Sequence, residues 1–194
     1  MEWPLCCAHP AHRGYRLKIS ETRLAGAYII EPELLKDERG FFARTFCRGE
    51  LQALNLESDI EQCSISFNAK KGTLRGLHYQ ITPHEEVKIV RCTMGAVFDV
   101  IVDLRPNSAT FRRWTGVELS EENRQMVYVP RGFAHGFQTL RDDTELQYQI
   151  SVGHAPASAR GIRWDDPKLA IQWPLPVTRV SENDRSHPFL SSPA

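Results

Sequence analysis

Hydrophobic and polar residues alternate over many short segments of this chain, a pattern typical of β-strands with one buried face. The clearest segment runs from Ala96 to Leu104 and alternates without interruption. One of its faces places two carboxylates, Asp99 and Asp103, among apolar neighbours. The pattern therefore predicts a strand that carries two buried acidic side chains.

Comparable segments recur at short intervals, with turn residues between them. They cover residues 26–30, 41–46, 87–92, 114–119, 125–129, 133–139 and 144–152. Short helices are predicted only near residues 50–54 and 181–184, and 164–167 is predicted to be a turn. Many short strands with few helices predict an all-β sandwich or barrel. We expect a tail and a first strand over residues 1–24 and one domain over residues 25–194.

Composition narrows the possible partners and locations. The 194 residues carry a formal net charge of +0, which gives no electrostatic basis for nucleic-acid binding. No apolar run approaches the roughly 20 residues of a membrane span, and the N-terminus lacks a secretory pattern. The sequence thus predicts a cytoplasmic protein with no membrane or nucleic-acid partner.

The five cysteines are an odd number without paired spacing, which argues against a disulfide framework. Cys6 and Cys7 lie near His9 and His12, but adjacent cysteines do not match the spacing of zinc sites. A loosely attached N-terminal tail is the favoured interpretation.

Two glycine-containing segments, 72–80 and 129–137, carry histidines among small and aromatic residues. In the first, Arg75 and His78 are three positions apart, so a regular strand would place them on opposite faces. A bulge at Gly76 would turn both towards one site. Histidine exchanges protons near neutral pH, which makes His78 a candidate general base.

Six segments together resemble the dTDP-4-dehydrorhamnose 3,5-epimerase family. They are DERGFF at 37–42, LRGLHYQ at 74–80, KIVRC at 88–92, VFDV at 97–100, PRGFAHGF at 130–137 and SEND at 181–184. The resemblance extends in unbroken order over roughly residues 25–186. It implies a cupin-type jelly-roll barrel that epimerises a nucleotide-linked 4-keto-6-deoxyhexose at C3, C5 or both, without a cofactor or metal.

The resemblance also implies roles for individual residues. His78 would be the base that removes a proton beside the ketone, and Asp184 would orient its ring. Lys88 would stabilise the enolate oxygen, and Tyr148 would return a proton on the opposite face. The substrate-binding positions would be Arg39, Phe42, Gln62, Ser64, Arg75, Asp99 and His135.

Within that set, Arg39 and Arg75 would hold the diphosphate, because guanidinium groups match phosphate oxygens. Asp99 and His135 would form a second buried pair beside the site. Family members are typically homodimers, so Arg39 would reach the site of the neighbouring subunit.

Four positions depart from the family pattern. Ser64 replaces an asparagine, Leu35 replaces an aromatic residue, and Gly153-His154 replaces a pair of tyrosines. These positions surround the nucleotide in the family rather than the proton-transfer residues. They favour a different nucleotide sugar, or epimerisation of one carbon only.

Other interpretations remain open at this stage. His78, His135 and Tyr148 could be hydrogen-bonded core residues, and Asp99 could be only a structural partner. A metal-dependent cupin would use His78, His84, Glu86 and His135 as ligands, although Tyr79-Gln80 breaks the usual ligand spacing. A third possibility is a cupin that binds a nucleotide sugar without catalysis.

Overall fold

The computed structural model describes residues 16–190, in which β-strands predominate. The strands are β1 (Leu17–Glu21), β2 (Tyr28–Pro32), β3 (Leu35–Asp37), β4 (Gly40–Phe42), β5 (Gln62–Asn68), β6 (Leu74–Gln80), β7 (Lys88–Met94), β8 (Ala96–Asp103), β9 (Trp114–Ser120), β10 (Met126–Val129), β11 (Phe133–Thr139), β12 (Thr144–Ile150) and β13 (Ala159–Gly161). The helices are α1 (Arg48–Gln52) and α2 (Glu182–Ser186). Neither helix is long or apolar enough to cross a membrane.

Two antiparallel sheets form a sandwich. The larger sheet has the strand order β1-β2-β10-β7-β12-β5, and the smaller has the order β13-β6-β11-β8-β9. Strands β3 and β4 form a separate hairpin. The predicted all-β architecture is confirmed.

The central core lies between the two sheets and confirms the alternation predicted for β8. Val97 and Ile101 pack into this core, whereas Val100 and Val102 pack on the other side of their sheet. Asp99, which shares the face of Val97 and Ile101, is also buried.

Strand β4 is shorter than the sequence predicts, because it ends at Phe42 and leaves residues 43–46 irregular. Phe46 instead packs with Leu51 of α1 in a cluster on the larger sheet that includes Ile89 and Met126. Packing of the partly buried Phe46 against this cluster is the physical reason that the predicted strand does not continue over residues 43–46.

A bulge in β6 brings Arg75 and His78 onto the same side of their sheet. His78 pairs with His135 and Arg75 pairs with Phe137, so the three-residue step in β6 opposes a two-residue step in β11. Gly76 has a φ of +122°, and a Cβ there would lie 2.6 Å from the Cα of a β11 glycine. The predicted bulge is therefore present, and it requires glycine.

Candidate functional site

A cavity of about 590 Å³ opens at one end of the sandwich. Its walls include side chains from β5, β6, β7, the segment before β13, and the region around α2. The polar and charged wall residues include Gln62, His78, Glu86, Lys88, His154, Arg160 of β13, and His187. The volume lies within the range of about 300–1,000 Å³ that is typical of small-molecule sites.

His78 and Asp184 form a close pair at this cavity. His78 Nε2 lies 2.6 Å from Asp184 Oδ1, and the two side chains are 45% and 5% exposed. With Nε2–H donating to the carboxylate, the neutral ring keeps its lone pair on Nδ1. The ring is thus held by a buried acid while remaining accessible from the cavity.

The start of α2 positions Asp184. Ser181 is the N-cap of this helix, and its hydroxyl accepts a hydrogen bond from the Asp184 backbone N–H at 3.0 Å. Burial would raise the pKa of Asp184, but the hydrogen bond and charge of His78, together with hydrogen bonds from Ser181 and the Gly76 backbone, outweigh burial and lower it. The carboxylate therefore stays ionised and can stabilise a protonated His78.

Lys88 lies in the cavity wall at the start of β7. Its Nζ is 2.7 Å from Glu86 Oε1, and the two side chains are only 11% and 12% exposed. The ammonium group is thus fixed beside the cavity by a carboxylate that also lines it.

A second histidine–aspartate pair lies in the core. His135 Nε2 is 2.8 Å from Asp99 Oδ2, and the side chains are 5% and 0% exposed. The Tyr148 ring meets the His135 ring edge-on, with centroids 6.1 Å apart. Burial raises the pKa of Tyr148 and the charge of Asp99 adds to this effect, so the phenol remains protonated near neutral pH.

The other expected binding residues occupy different positions. Gln62 lines the cavity and accepts a hydrogen bond from the His154 backbone N–H at 3.2 Å. Arg75 Nε donates to Asn68 Oδ1 at 2.7 Å, and Ser64 pairs across the sheet with Tyr148.

Arg39 and Phe42 lie on the β3–β4 hairpin and do not line the cavity of their own chain. Arg39 is paired with Asp37 and its side chain is 83% exposed, while Phe42 is 64% exposed. A role for either residue in substrate binding requires a cavity in another subunit.

Sequence reasoning missed two residues of the cavity wall, His187 and Arg160. His187 lies three positions after Asp184, and its Nε2 is 3.6 Å from Asp184 Oδ1. This spacing just beyond the SEND segment was the available signal. Arg160 sits beside β6 through the pairing of β13, for which the sequence offered no comparable pattern.

The ligand set expected for a metal-dependent cupin is not assembled. Among residues 16–190, the group of three or more metal-capable side chains whose ligand atoms lie within reach of one another is His78, Asp184 and His187. His84 instead contacts the Ser158 hydroxyl at 3.0 Å. The N-terminal cysteines and histidines, for which a tail was preferred over a metal site, fall outside the described residues.

Comparisons with known proteins identify the family. Residues 21–192 match the family model described as dTDP-4-dehydrorhamnose 3,5-epimerase. A protein of that name from Sinorhizobium fredii (strain NBRC 101917 / NGR234) is 42% identical over 175 residues, covering 90% of this chain and 87% of the relative.

Solved structures agree with the sequence comparison. The Bacillus anthracis dTDP-4-dehydrorhamnose 3,5-epimerase with TDP and PPi bound has a TM-score of 0.87 and 39% identity, covering 90% of this chain and 100% of that one. The Legionella pneumophila dTDP-6-deoxy-D-glucose-3,5-epimerase in complex with dTDP-4-keto-L-rhamnose has a TM-score of 0.84 and 38% identity, covering 90% and 93%. The chain therefore belongs to the dTDP-4-dehydrorhamnose 3,5-epimerase family.

Proposed function

We propose that this protein epimerises a nucleotide-linked 4-keto-6-deoxyhexose at C3, C5 or both, with His78 as the general base. The observation that carries the proposal is the His78–Asp184 pair at the edge of a cavity large enough for a sugar nucleotide. Family membership favours a sugar epimerase over a metal-dependent or non-catalytic cupin. No cofactor is required by the chemistry that follows.

The ketone at C4 acidifies the protons on C3 and C5. Nδ1 of His78 takes one of these protons, and the C–H electron pair moves into an enolate whose negative charge rests on the C4 oxygen. Asp184 stabilises the resulting imidazolium through the hydrogen bond at Nε2. The Lys88 ammonium, fixed at the cavity wall, stabilises the enolate oxygen.

Reprotonation on the opposite face completes the inversion. Tyr148 supplies that proton from its hydroxyl, and the carbonyl re-forms as the new C–H bond is made. The raised pKa of Tyr148 keeps this proton available near neutral pH. Solvent then restores the phenol and accepts the proton held by His78.

The substrate is a nucleotide-diphosphate sugar, in keeping with the TDP and the dTDP-sugar bound to the solved relatives. Arg75 holds the diphosphate, and its positive charge lies close enough to act on Tyr148. Ser64 and Gly153-His154 differ from the family pattern near the nucleotide. The preferred nucleotide base and the number of inverted carbons are therefore to be determined by experiment.

Incubation with several 4-keto-6-deoxy nucleotide sugars in deuterated water tests this function. We expect deuterium at C3, C5 or both with the wild-type protein, and none at either carbon with His78→Ala. His84→Ala is the matched control, because His84 contacts Ser158 outside the cavity wall and should leave exchange intact. Exchange that survives in His78→Ala, or that disappears in His84→Ala, contradicts the proposal.

We further propose that the active form is a homodimer in which Arg39 serves the neighbouring cavity. The β3–β4 hairpin presents Arg39 to solvent, and the edge strand β5 exposes Ile65 and Phe67, which are 68% and 50% exposed. An exposed apolar edge strand is a surface that proteins usually cover.

Mixing two inactive variants tests this arrangement. Arg39→Ala and His78→Ala should each lose activity alone, but heterodimers formed on mixing should contain one intact site and regain activity. A monomer by light scattering at micromolar concentration, or no recovery on mixing, contradicts the dimer proposal.

A further inference from the structure

His187 lines the cavity, but no step of the proposed epimerisation mechanism involves it. Its ring packs edge-on against the His78 ring, with centroids 5.6 Å apart and an interplanar angle of 80°. The side chain is only 16% exposed, and Nε2 is buried without a hydrogen-bond partner among the described residues. A buried nitrogen of this kind requires an explanation.

The absence of a side chain at Gly161 provides the space that the His187 ring occupies. Gly161 of β13 pairs with His78 of β6, and a Cβ at residue 161 would lie 2.2 Å from two atoms of the His187 ring. Any larger residue there would displace His187 from its position beside the pair. The three side chains therefore form one packed group, with His187 held against Asp184.

We infer that His78, Asp184 and His187 bind one divalent transition-metal ion such as Zn²⁺, and that this ion inhibits the enzyme. The three ligand atoms lie within 4.8 Å of one another. His78 Nε2 and His187 Nε2 are 2.6 and 3.6 Å from Asp184 Oδ1. These distances bracket the roughly 3.3 Å between ligand atoms of tetrahedral zinc, given metal–ligand bonds of about 2.0–2.1 Å.

The chemistry of the ligands selects the class of ion. Two imidazoles and one carboxylate suit Zn²⁺, Co²⁺ and related ions, whereas Mg²⁺ and Ca²⁺ prefer oxygen ligands. Both histidine ligands line the cavity, so water or a substrate oxygen could complete the coordination from that side. The site thus resembles a three-ligand zinc centre with one open position.

Inhibition follows from where the ion binds on His78. The metal takes the lone pair of Nε2, so the single N–H proton of the neutral imidazole leaves Nε2, where it was shared with Asp184, and is carried on Nδ1 instead. Nδ1 then has no lone pair and cannot accept a proton from carbon. This second part of the inference rests on the proposed role of His78, whereas metal binding itself does not.

Metal binding is measured without substrate, on full-length protein stripped with a chelator and then freed of it. All proteins carry Cys6→Ser and Cys7→Ser, which removes the competing thiolates of the N-terminus. We expect stoichiometric Co²⁺ binding with visible absorption bands, and the same site to take up Zn²⁺ in equilibrium dialysis. His187→Ala should weaken Co²⁺ binding at least about tenfold. His187→Asn, which keeps more of the side-chain volume but removes the imidazole, should weaken Co²⁺ binding to a similar extent.

His154→Ala is the matched control, because His154 lines the same cavity outside the three-residue group and should leave Co²⁺ affinity unchanged. No stoichiometric Co²⁺ binding, or equal affinity in His187→Ala, overturns the inference and leaves the proposed function untouched. Addition of Zn²⁺ should abolish deuterium exchange, and a chelator should restore it. Binding at this site without loss of exchange would support the metal site and count against His78 as the base.

Discussion

The two histidine–aspartate pairs have similar hydrogen bonds, of 2.6 and 2.8 Å, yet they occupy different environments. The ring of His78 is 45% exposed at a cavity, whereas that of His135 is 5% exposed inside the core. Both pairs hold an imidazole with a nearly inaccessible carboxylate. Exposure of the ring, rather than the pairing itself, distinguishes an imidazole that a ligand in the cavity can reach from one that is enclosed by protein.

The two carboxylates also differ in how completely they are hydrogen-bonded. Asp184 accepts from His78, and its own backbone N–H is capped by Ser181. Asp99 Oδ2 accepts from His135, but its Oδ1 is buried without a hydrogen-bond partner in the described part of the chain. The carboxylate of the core pair therefore has fewer hydrogen-bond partners than its acceptor atoms require. Loss of His135 would remove the hydrogen bond to Asp99 Oδ2 as well.

The largest effect on catalysis should come from Asp184→Asn. The amide keeps the shape of the side chain but removes the charge that stabilises protonated His78, so kcat should fall by about 10³-fold or more. The free energy of unfolding should fall by about 1–3 kcal/mol, because the amide preserves the volume but loses the charge-assisted hydrogen bond to His78. Initial rates with a 4-keto-6-deoxy nucleotide sugar and urea denaturation would measure both. A large loss of stability with normal kcat would show that the His78–Asp184 pair supports the fold rather than catalysis.

His135→Ala should instead affect stability most. Removing this ring leaves the Asp99 carboxylate buried without its hydrogen-bonded partner and opens a cavity in the core, which should cost about 3–5 kcal/mol. Urea unfolding at neutral pH measures this loss, and His154→Ala at the exposed cavity wall provides the control. An unchanged midpoint would show that the core pair does not support the fold.

Tyr148→Phe separates proton removal from proton return. His78 remains able to abstract a proton, so deuterium exchange should persist, while the inverted product at one carbon should form about 10²-fold more slowly. Phenylalanine fills nearly the same volume beside His135, so the core should remain packed. Product ratios determined by NMR report the result, and an unchanged ratio would remove Tyr148 from the role of acid.

The sequence predicted the strands best where alternation was long, as in β8, and predicted the bulge because a glycine separated Arg75 from His78. It failed at 43–46, because nothing local indicates that Phe46 leaves the strand to pack on the larger sheet. Pairing of residues 106 positions apart, as in His78 and Asp184, came from the family resemblance rather than from any local pattern. The contact of His187 with the His78–Asp184 pair was also not predictable locally. It depends on the space left by the missing side chain of Gly161, which lies on β13 rather than on the strand of His78.

The smallest expected effect concerns Asp103, a buried carboxylate that is fully hydrogen-bonded and so contrasts with Asp99. Burial would raise the pKa of Asp103, but hydrogen bonds from Arg105, Ser108 and Thr110 outweigh it and lower the pKa to about 2. Because the folded pKa lies below the unfolded value, the stabilisation is complete above about pH 4 and disappears as the pH falls towards 2.

Asp103 should therefore contribute about 2 kcal/mol to the stability lost between pH 4 and pH 2. Asp103→Asn should be less stable than wild type at neutral pH, and its unfolding free energy should decline less steeply over that interval. Asp59→Asn, at the exposed ion pair with Arg48, is the control and should follow the wild-type curve closely. Parallel curves for Asp103→Asn and wild type would show that the hydrogen bonds to Asp103 do not favour its ionised form, and hydrogen bonding would then not distinguish Asp103 from the equally buried Asp99.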